Sequence, residues 1–286
     1  MPVDLPELVT SRPVAVLGAG TLGRRVALML ATRGGQVRIT DASAEQREAA
    51  VAYVGQELPG VVATVDGGTP GTVTAVPDLA AAVADAWLVV EAVPERLELK
   101  KEVFAELDRL APADAVLASN SSSYPTSRFV DGVTRPERVL NLHFYMPPRA
   151  VAVEVMSCGQ TDPAVIRLMM DVLPAYGLVP FEVRRESTGF IYNRIWAAIK
   201  REALSVVEEG VSTPEEVDRI FRLTLGTQRG PFQMMDGVGL DVVLDIEEHY
   251  AAERPGLPEG PRRLLRDYLD RGRLGDKSGQ GFYPAD

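Results

Sequence analysis

Absences bound this sequence before any motif does. Its 286 residues hold one cysteine, Cys158, so no internal disulfide can close and no thiolate cluster can bind a metal. That scarcity fits a reducing cytoplasm. No stretch approaches the roughly 20 unbroken apolar residues that a membrane-spanning helix needs. Positive charge is scarce too: 30 Lys and Arg against 40 Asp and Glu leave a formal charge of −10. Nucleic acid and anionic membrane both recruit basic surfaces, so neither is expected as a main partner. The opening segment, "MPVDLPELVTSRP", has acids and prolines where a secretory signal would have a basic start and an apolar centre. No internal repeat or long low-complexity tract is present. What is there, 46% apolar and 24% charged residues, suffices to bury a core in one large domain or two ordinary ones.

The first two-thirds of the chain alternate strand-like and helix-like runs. "PVAVLG" precedes a helical Leu22 to Thr32, and "QVRITD" precedes a helical Ala44 to Leu58. A short helix at Asp78 to Ala84 leads to "AWLVVEAV", the amphipathic "RLELKKEVFAELDRLA" and "AVLASN". This order, with near-continuous Val, Leu and Ala in the strands, predicts a doubly wound, mainly parallel sheet buried on both faces. "RVLNLHF", "VAVEVM" and "LVPFEV" extend it, with a helix from Asp162 to Tyr176 between the last two. From Gly189 the period changes to that of helices over more than five turns. Thr213-Pro214-Glu215-Glu216 reads as a helix N-terminus, and helical patterns follow at Leu240 to Glu253 and Pro261 to Arg271. The expected organisation is an α/β domain over residues 1–186 and a smaller all-α domain over 187–286.

"VLGAGTLGRR" places Gly18, Gly20 and Gly23 in G-x-G-x-x-G spacing, after a strand and at the start of a helix. In that context Gly18 permits the turn, Gly20 lets the backbone approach a pyrophosphate, and Gly23 lets helix and strand pack closely. The helix N-terminus, with Thr21 and Leu22 in its first turn, offers free N–H groups to the phosphates. Asp41 ends the second strand, where a carboxylate accepts hydrogen bonds from the adenosine ribose. It would repel a 2′-phosphate, so NAD is favoured over NADP, although Arg38 and Arg47 lie close in sequence.

Chemistry is expected at the carboxyl ends of the strands. "LASNSSSYP" leaves a buried strand with Asn120, Ser121, Ser122 and Ser123. A serine there is placed to meet a substrate oxygen; for Ser123, capping the following short helix is the plainer role. His143, in "NLHFYMPP", ends another strand on the same edge, and imidazole is the side chain whose unperturbed range suits general acid–base work. The competing reading is an imidazole that fills space beneath a turn. Glu154 sits in the otherwise apolar "VAVEVM", where a buried carboxylate must be paired. An antiparallel turn through "MPPRA" would bring it to the imidazole. Asn193, in "STGFIYNRIW", opens the long helix of the second domain. His249, among acidic neighbours, reads as solvated.

Taken together these segments resemble the two-domain, NAD-dependent L-3-hydroxyacyl-CoA dehydrogenases, including the 3-hydroxybutyryl-CoA enzymes. The motifs run in family order: "GAGTLG", "LVVEAVPE", "SNSSS", "HFYMPP" followed by "VEVM", "TGFIYNR", "RGPFQMMDGVGLD" and the terminal "DKSGQGFY". The resemblance implies a Rossmann domain, a helical domain that dimerises, NAD, a small-molecule substrate and a place in fatty acid metabolism. It also implies roles for single residues. Ser122 would contact substrate, His143 would be the catalytic base with Glu154 its partner, and Asn193 would be an active-site amide. Glu95 and Lys100 would line the cofactor pocket with Asn120.

Three departures from the family pattern bear on the substrate. Met146 replaces the asparagine of the usual "HFFNP", and one residue is missing between His143 and Glu154. The segment after Asp41 is shorter than the helical hairpin that helps hold CoA in the family, and it has no lysine; the first lysine in the chain is Lys100. A 3-hydroxyacyl-CoA is therefore one expected substrate, and a small CoA-free 3-hydroxy acid with Arg149 as carboxylate clamp is another. A non-catalytic NAD(H) sensor is a third reading of the same nucleotide site.

Overall fold

The computed structural model describes residues 11–284. The reading that no secretory signal begins the chain rests largely on residues 1–10 and lies outside them. Within the described residues the chain divides into two compact units between Ile191 and Tyr192.

In the first unit the apolar runs become strands β1 (Val14–Leu17), β2 (Gln36–Thr40), β3 (Thr72–Ala75) and β4 (Leu88–Glu91). They continue as β5 (Val116–Ser119), β6 (Val139–Phe144), β7 (Ala152–Ser157) and β8 (Val179–Val183). All eight form one sheet in the order β3-β2-β1-β4-β5-β6-β7-β8. Every adjacent pair is parallel except β6 and β7, which are antiparallel. Each residue of β1, β4, β5 and β6 is buried. That follows from helices on both faces: α1 (Thr21–Leu30), α2 (Ala44–Val62), α3 (Leu79–Val83), α4 (Leu97–Leu110) and α5 (Pro163–Val172). Val14 and Val16 join the core with Val26 and Leu30 of α1, Val54 of α2 and Met169 of α5. Ala15 and Leu17, pointing the other way, join Phe104 and Leu107 of α4.

Helix α2 runs past Leu58, the end expected from periodicity, because Pro59 falls in its last turn. There the absent N–H leaves only the carbonyl of an exposed residue, Gly55, without its helical donor. A single helix therefore connects β2 to the loop before β3. The serine cap expected after β5 does not form. Pro125 starts the short 3₁₀ turn Thr126–Arg128 without a side-chain cap. Asn141 Oδ1 instead accepts from the Thr126 amide and hydroxyl, and the Ser123 amide donates to Glu95.

The second unit is helical: α6 (Tyr192–Glu208), α7 (Pro214–Leu225), α8 (Pro231–Val238), α9 (Leu240–Glu253) and α10 (Gly260–Leu269). Leu204, Phe232, Met235, Leu240, Val243 and Leu265 form its core. Thr213 caps α7, accepting from the Glu216 amide at 3.4 Å. Helix α8, too short and glycine-flanked to show a period, is held by tertiary contacts. Asp218 accepts from the Phe232 and Gln233 amides at its N-terminus. Asp236 accepts from the Phe282 and Tyr283 amides and fastens the terminal segment to the unit. Among the described residues, no helix is long and apolar enough to cross a membrane.

Candidate active site

The glycine loop turns at the carboxyl edge of the sheet, where the strand order reverses between β1 and β4. Gly18 has φ +97°, and a Cβ there would lie 2.4 Å from the Ala92 carbonyl oxygen. A Cβ on Gly23 would lie 1.8 Å from the Gly18 oxygen. The fold itself demands both glycines. Gly20 is different: a Cβ would meet nothing within 4 Å, so the space beside it is open to a ligand. It starts α1 without a side-chain cap and without an acid in the first turn. The N–H groups of Thr21, Leu22 and Gly23 therefore keep their positive end for an anion.

Asp41 is tied to this loop. One carboxylate oxygen accepts from the Ala19 amide at 2.8 Å and the other from the Ser43 amide at 2.9 Å. Each oxygen retains acceptor capacity for a ribose hydroxyl. Of the two neighbouring arginines, Arg38 is engaged elsewhere, donating to the Ala81 and Ala84 carbonyls at the end of α3. Arg47 donates to the Asp41 carbonyl. The open glycine, uncapped helix end and held carboxylate fit a bound NAD.

At the ends of β4 and β5 lies a buried ionic cluster. Glu91, 0% exposed, pairs with Lys100, 1% exposed, at 2.8 Å. It also accepts from the Ser119 hydroxyl at 2.6 Å and the Val93 amide at 2.8 Å. Lys100 reaches Glu95 at 3.2 Å. Glu95 in turn accepts from the Ser121 hydroxyl and the Ser123 amide, so it grips the residues on either side of exposed Ser122. Asn120 Oδ1 accepts from the Phe144 amide at 2.8 Å and joins this loop to the end of β6. Glu91 escaped the sequence reading. Its signal was the same as that of Glu154, one carboxylate inside an apolar strand.

His143 and Glu154 stand directly opposite each other in the β6–β7 ladder. The shortened turn between them contains a cis Pro147–Pro148 bond. His143 Nδ1 lies 2.9 Å from Glu154 Oε2. The same oxygen accepts from the Tyr145 hydroxyl at 2.7 Å, and Oε1 accepts from the Ile191 amide at 2.8 Å. Both side chains are nearly sealed, with His143 5% and Glu154 2% exposed. Phe190 stacks on the imidazole with centroids 4.8 Å apart, and Tyr145 meets it edge-on at 4.7 Å. Phe190 reaches that position by adopting φ 53°, a strained conformation that tight surroundings must hold.

Residues 13–187 match the NAD-binding domain of 3-hydroxyacyl-CoA dehydrogenase, and residues 189–285 match its C-terminal domain. The chain belongs to the 3-hydroxyacyl-CoA dehydrogenase family. It is thus an NAD-dependent oxidoreductase acting on CH–OH groups. Within the family, a probable 3-hydroxybutyryl-CoA dehydrogenase of Bacillus subtilis is 32% identical over 278 residues, 95% of this chain and 96% of that one. A 5-formyl-3-hydroxy-2-methylpyridine 4-carboxylate 5-dehydrogenase of Mesorhizobium japonicum is 29% identical, covering 95% and 90%. A solved diketoreductase, described as acting on dicarbonyl compounds, is 33% identical with a TM-score of 0.80, covering 96% and 98%.

Against this family background the remaining candidates fall in different places. Asn193 lies in the first turn of α6, half-buried, in the helical unit. Arg149 is exposed in the turn after β6 and makes no hydrogen bond or ion pair among the described residues. His249 lies 3.3 Å from Glu253, one turn along α9. The family's helical hairpin is represented here by α2 alone.

Proposed function

We propose that this family member interconverts a 3-hydroxyacyl thioester and its 3-keto form, with His143 as base and Glu154 as its partner. The supporting observation is the contact of His143 Nδ1 with Glu154 Oε2 at 2.9 Å, at the sheet edge that also carries the glycine loop. An ionised carboxylate only accepts hydrogen bonds, so Nδ1 holds the ring proton and Nε2 is left as the acceptor. Nε2 then takes the proton of the 3-hydroxyl. The carboxylate stabilises the imidazolium so formed, and in the reverse direction Nε2 returns the proton. NAD, when bound, supplies the hydride acceptor. Ser122 and Asn193 orient the reacting oxygen and the adjoining carbonyl, while Glu95, Lys100 and Asn120 shape the cofactor side.

A second reading keeps this chemistry on a small, CoA-free 3-hydroxy acid. It draws on the single helix α2 where the family has a hairpin, on the absence of lysine before Lys100, and on the two relatives named for CoA-free substrates. NADH oxidation against a panel of 3-ketoacyl-CoAs and free 3-keto acids separates the two. His143→Gln should abolish turnover of the preferred compound while keeping NAD binding. Near-normal turnover by that variant overturns the mechanism.

In the same reading, residues 1–186 bind NAD, and residues 187–286 serve substrate binding and pair two chains as a homodimer. Ile195 on α6, Ile220 and Leu223 on α7, and Val211 between these helices are all exposed, Leu223 to 77%. Such a set on one small helical unit favours a covering partner. A cytoplasmic setting agrees with the single cysteine.

A further inference from the structure

Two arginines beside the glycine loop pair with no acid among the described residues. Arg24 and Arg25 follow Gly23 in α1, and both guanidinium groups lie over the ring of Tyr53 on α2, 4.6 and 5.5 Å from its centroid. Both Nε atoms are buried and without a hydrogen-bond partner. Arg25 Nη1 donates to the Pro147 carbonyl at 3.2 Å. Neither side chain pairs with a carboxylate among the described residues, although acids outnumber bases 40 to 30 in the chain. Two adjacent, half-buried like charges repel each other and lose hydration, and stacking on one phenol ring offsets only part of that. An anion placed against them removes the conflict.

The position of the cluster says which anion. Helix α1 begins at the carboxyl edge of the sheet, and Pro147 lies four residues after His143, in the turn that aligns His143 with Glu154. Arg25 is therefore tied by a hydrogen bond to the segment that carries the base, and Arg24 lies beside it over the same ring. We infer that Arg24, Arg25 and Tyr53 bind the anionic handle of the substrate, a carboxylate or phosphate distinct from the reacting carbonyl. The inference rests on the hydride-transfer reading of this sheet edge. Guanidinium forks suit both oxyanions, and the Tyr53 ring fixes their planes. Arg149, the clamp suggested by sequence, lies on the same turn but is exposed and unstacked.

The test is the double substitution Arg24→Met/Arg25→Met, assayed with acetoacetyl-CoA, acetoacetyl-pantetheine and acetoacetate. The pantetheine thioester has the same carbonyl but neither phosphate nor carboxylate. The variant should raise KM roughly tenfold to a hundredfold for an anionic substrate, with kcat and the pantetheine thioester little changed. A rise confined to acetoacetyl-CoA identifies the nucleotide phosphates as the handle, and one confined to acetoacetate identifies a carboxylate. Arg24→Lys/Arg25→Lys should recover part of the loss. Unchanged KM for both anionic substrates, or an equal rise for the pantetheine thioester, overturns the inference. So does weakened NAD binding by fluorescence as the sole effect. Calorimetric titration with the same compounds reads binding without turnover. A parent that binds an anion through these arginines but turns over none of the three would overturn the hydride reading and leave this one standing.

Discussion

Replacing Glu154 with glutamine changes one oxygen to an amide nitrogen and tests whether the carboxylate sets the tautomer of His143. In the parent, Oε2 accepts from His143 Nδ1 and the Tyr145 hydroxyl, while Oε1 accepts from the Ile191 amide. Glutamine has one acceptor oxygen. If that oxygen faces His143 and Tyr145, its NH₂ confronts the Ile191 N–H, a buried donor–donor clash costing about 1–3 kcal/mol. If it stays on Ile191, the NH₂ faces Nδ1, which must then accept. The ring proton moves to Nε2, the atom that would take the substrate proton. The second arrangement satisfies more groups and disables the base. General-base catalysis contributes roughly 10²–10⁴-fold, or about 3–5 kcal/mol of barrier. Glu154→Gln should lower kcat by that range, measured as NAD-dependent oxidation of the preferred substrate, with NAD affinity by fluorescence essentially unchanged. A kcat within about threefold of the parent would refute the reasoning, because the tautomer would then be set by something other than this carboxylate.

Three further outcomes can be measured directly. Asp41→Asn should narrow the preference for NAD over NADP by at least about tenfold in fluorescence titrations, the factor that about 1.4 kcal/mol represents; an unchanged ratio would remove Asp41 as the selector. Burial holds the Lys200 ammonium below its usual pKa, with Glu247 opposing that effect, so the folded state disfavours its charged form. Stability carried by this group is therefore diminished at neutral pH and regained as pH rises towards the ordinary lysine value. Lys200→Met should raise the melting midpoint at pH 7 and gain less near pH 10; a gain independent of pH would contradict this. Light scattering at micromolar concentration should give a dimer mass, and Leu223→Glu should reduce it to that of a monomer with the fold retained by circular dichroism.

Much of the α/β unit was legible because its signals are local. The glycine spacing, the buried runs of Val and Leu and the change of period at Gly189 each lie within a few turns of chain. Helix α8 was not, because Asp218, fourteen residues from Phe232, supplies its N-terminal acceptor. The site divided in the same way. Glu154 was legible as a carboxylate in an apolar strand, and Glu91 showed that signal equally. It went unread because its partners Lys100 and Ser119 stand nine and 28 residues away. The stacking of Phe190 on His143 was hidden for another reason: a left-handed phenylalanine has no sequence signature. No pattern joins residues 24 and 53 either, since only the packing of α1 on α2 does so.

The departures from the family fall unevenly across this structure, and on the proposed reading their placing separates chemistry from recognition. Losing one residue from the β6–β7 turn leaves His143 opposite Glu154, since a shorter hairpin loop need not change the pairing of the strands beside it. The β2–β3 connection, by contrast, has become one helix, and it presents Tyr53 to two arginines. Substitutions around the β6–β7 ladder should therefore act on kcat for every substrate alike. Those on the facing sides of α1 and α2 should reorder substrates by KM and leave the rate of the chemical step nearly constant. A variant at Tyr53 that slowed turnover equally for anionic and neutral substrates would break that separation, because it would tie the stacked arginines to the reacting carbon instead of the handle.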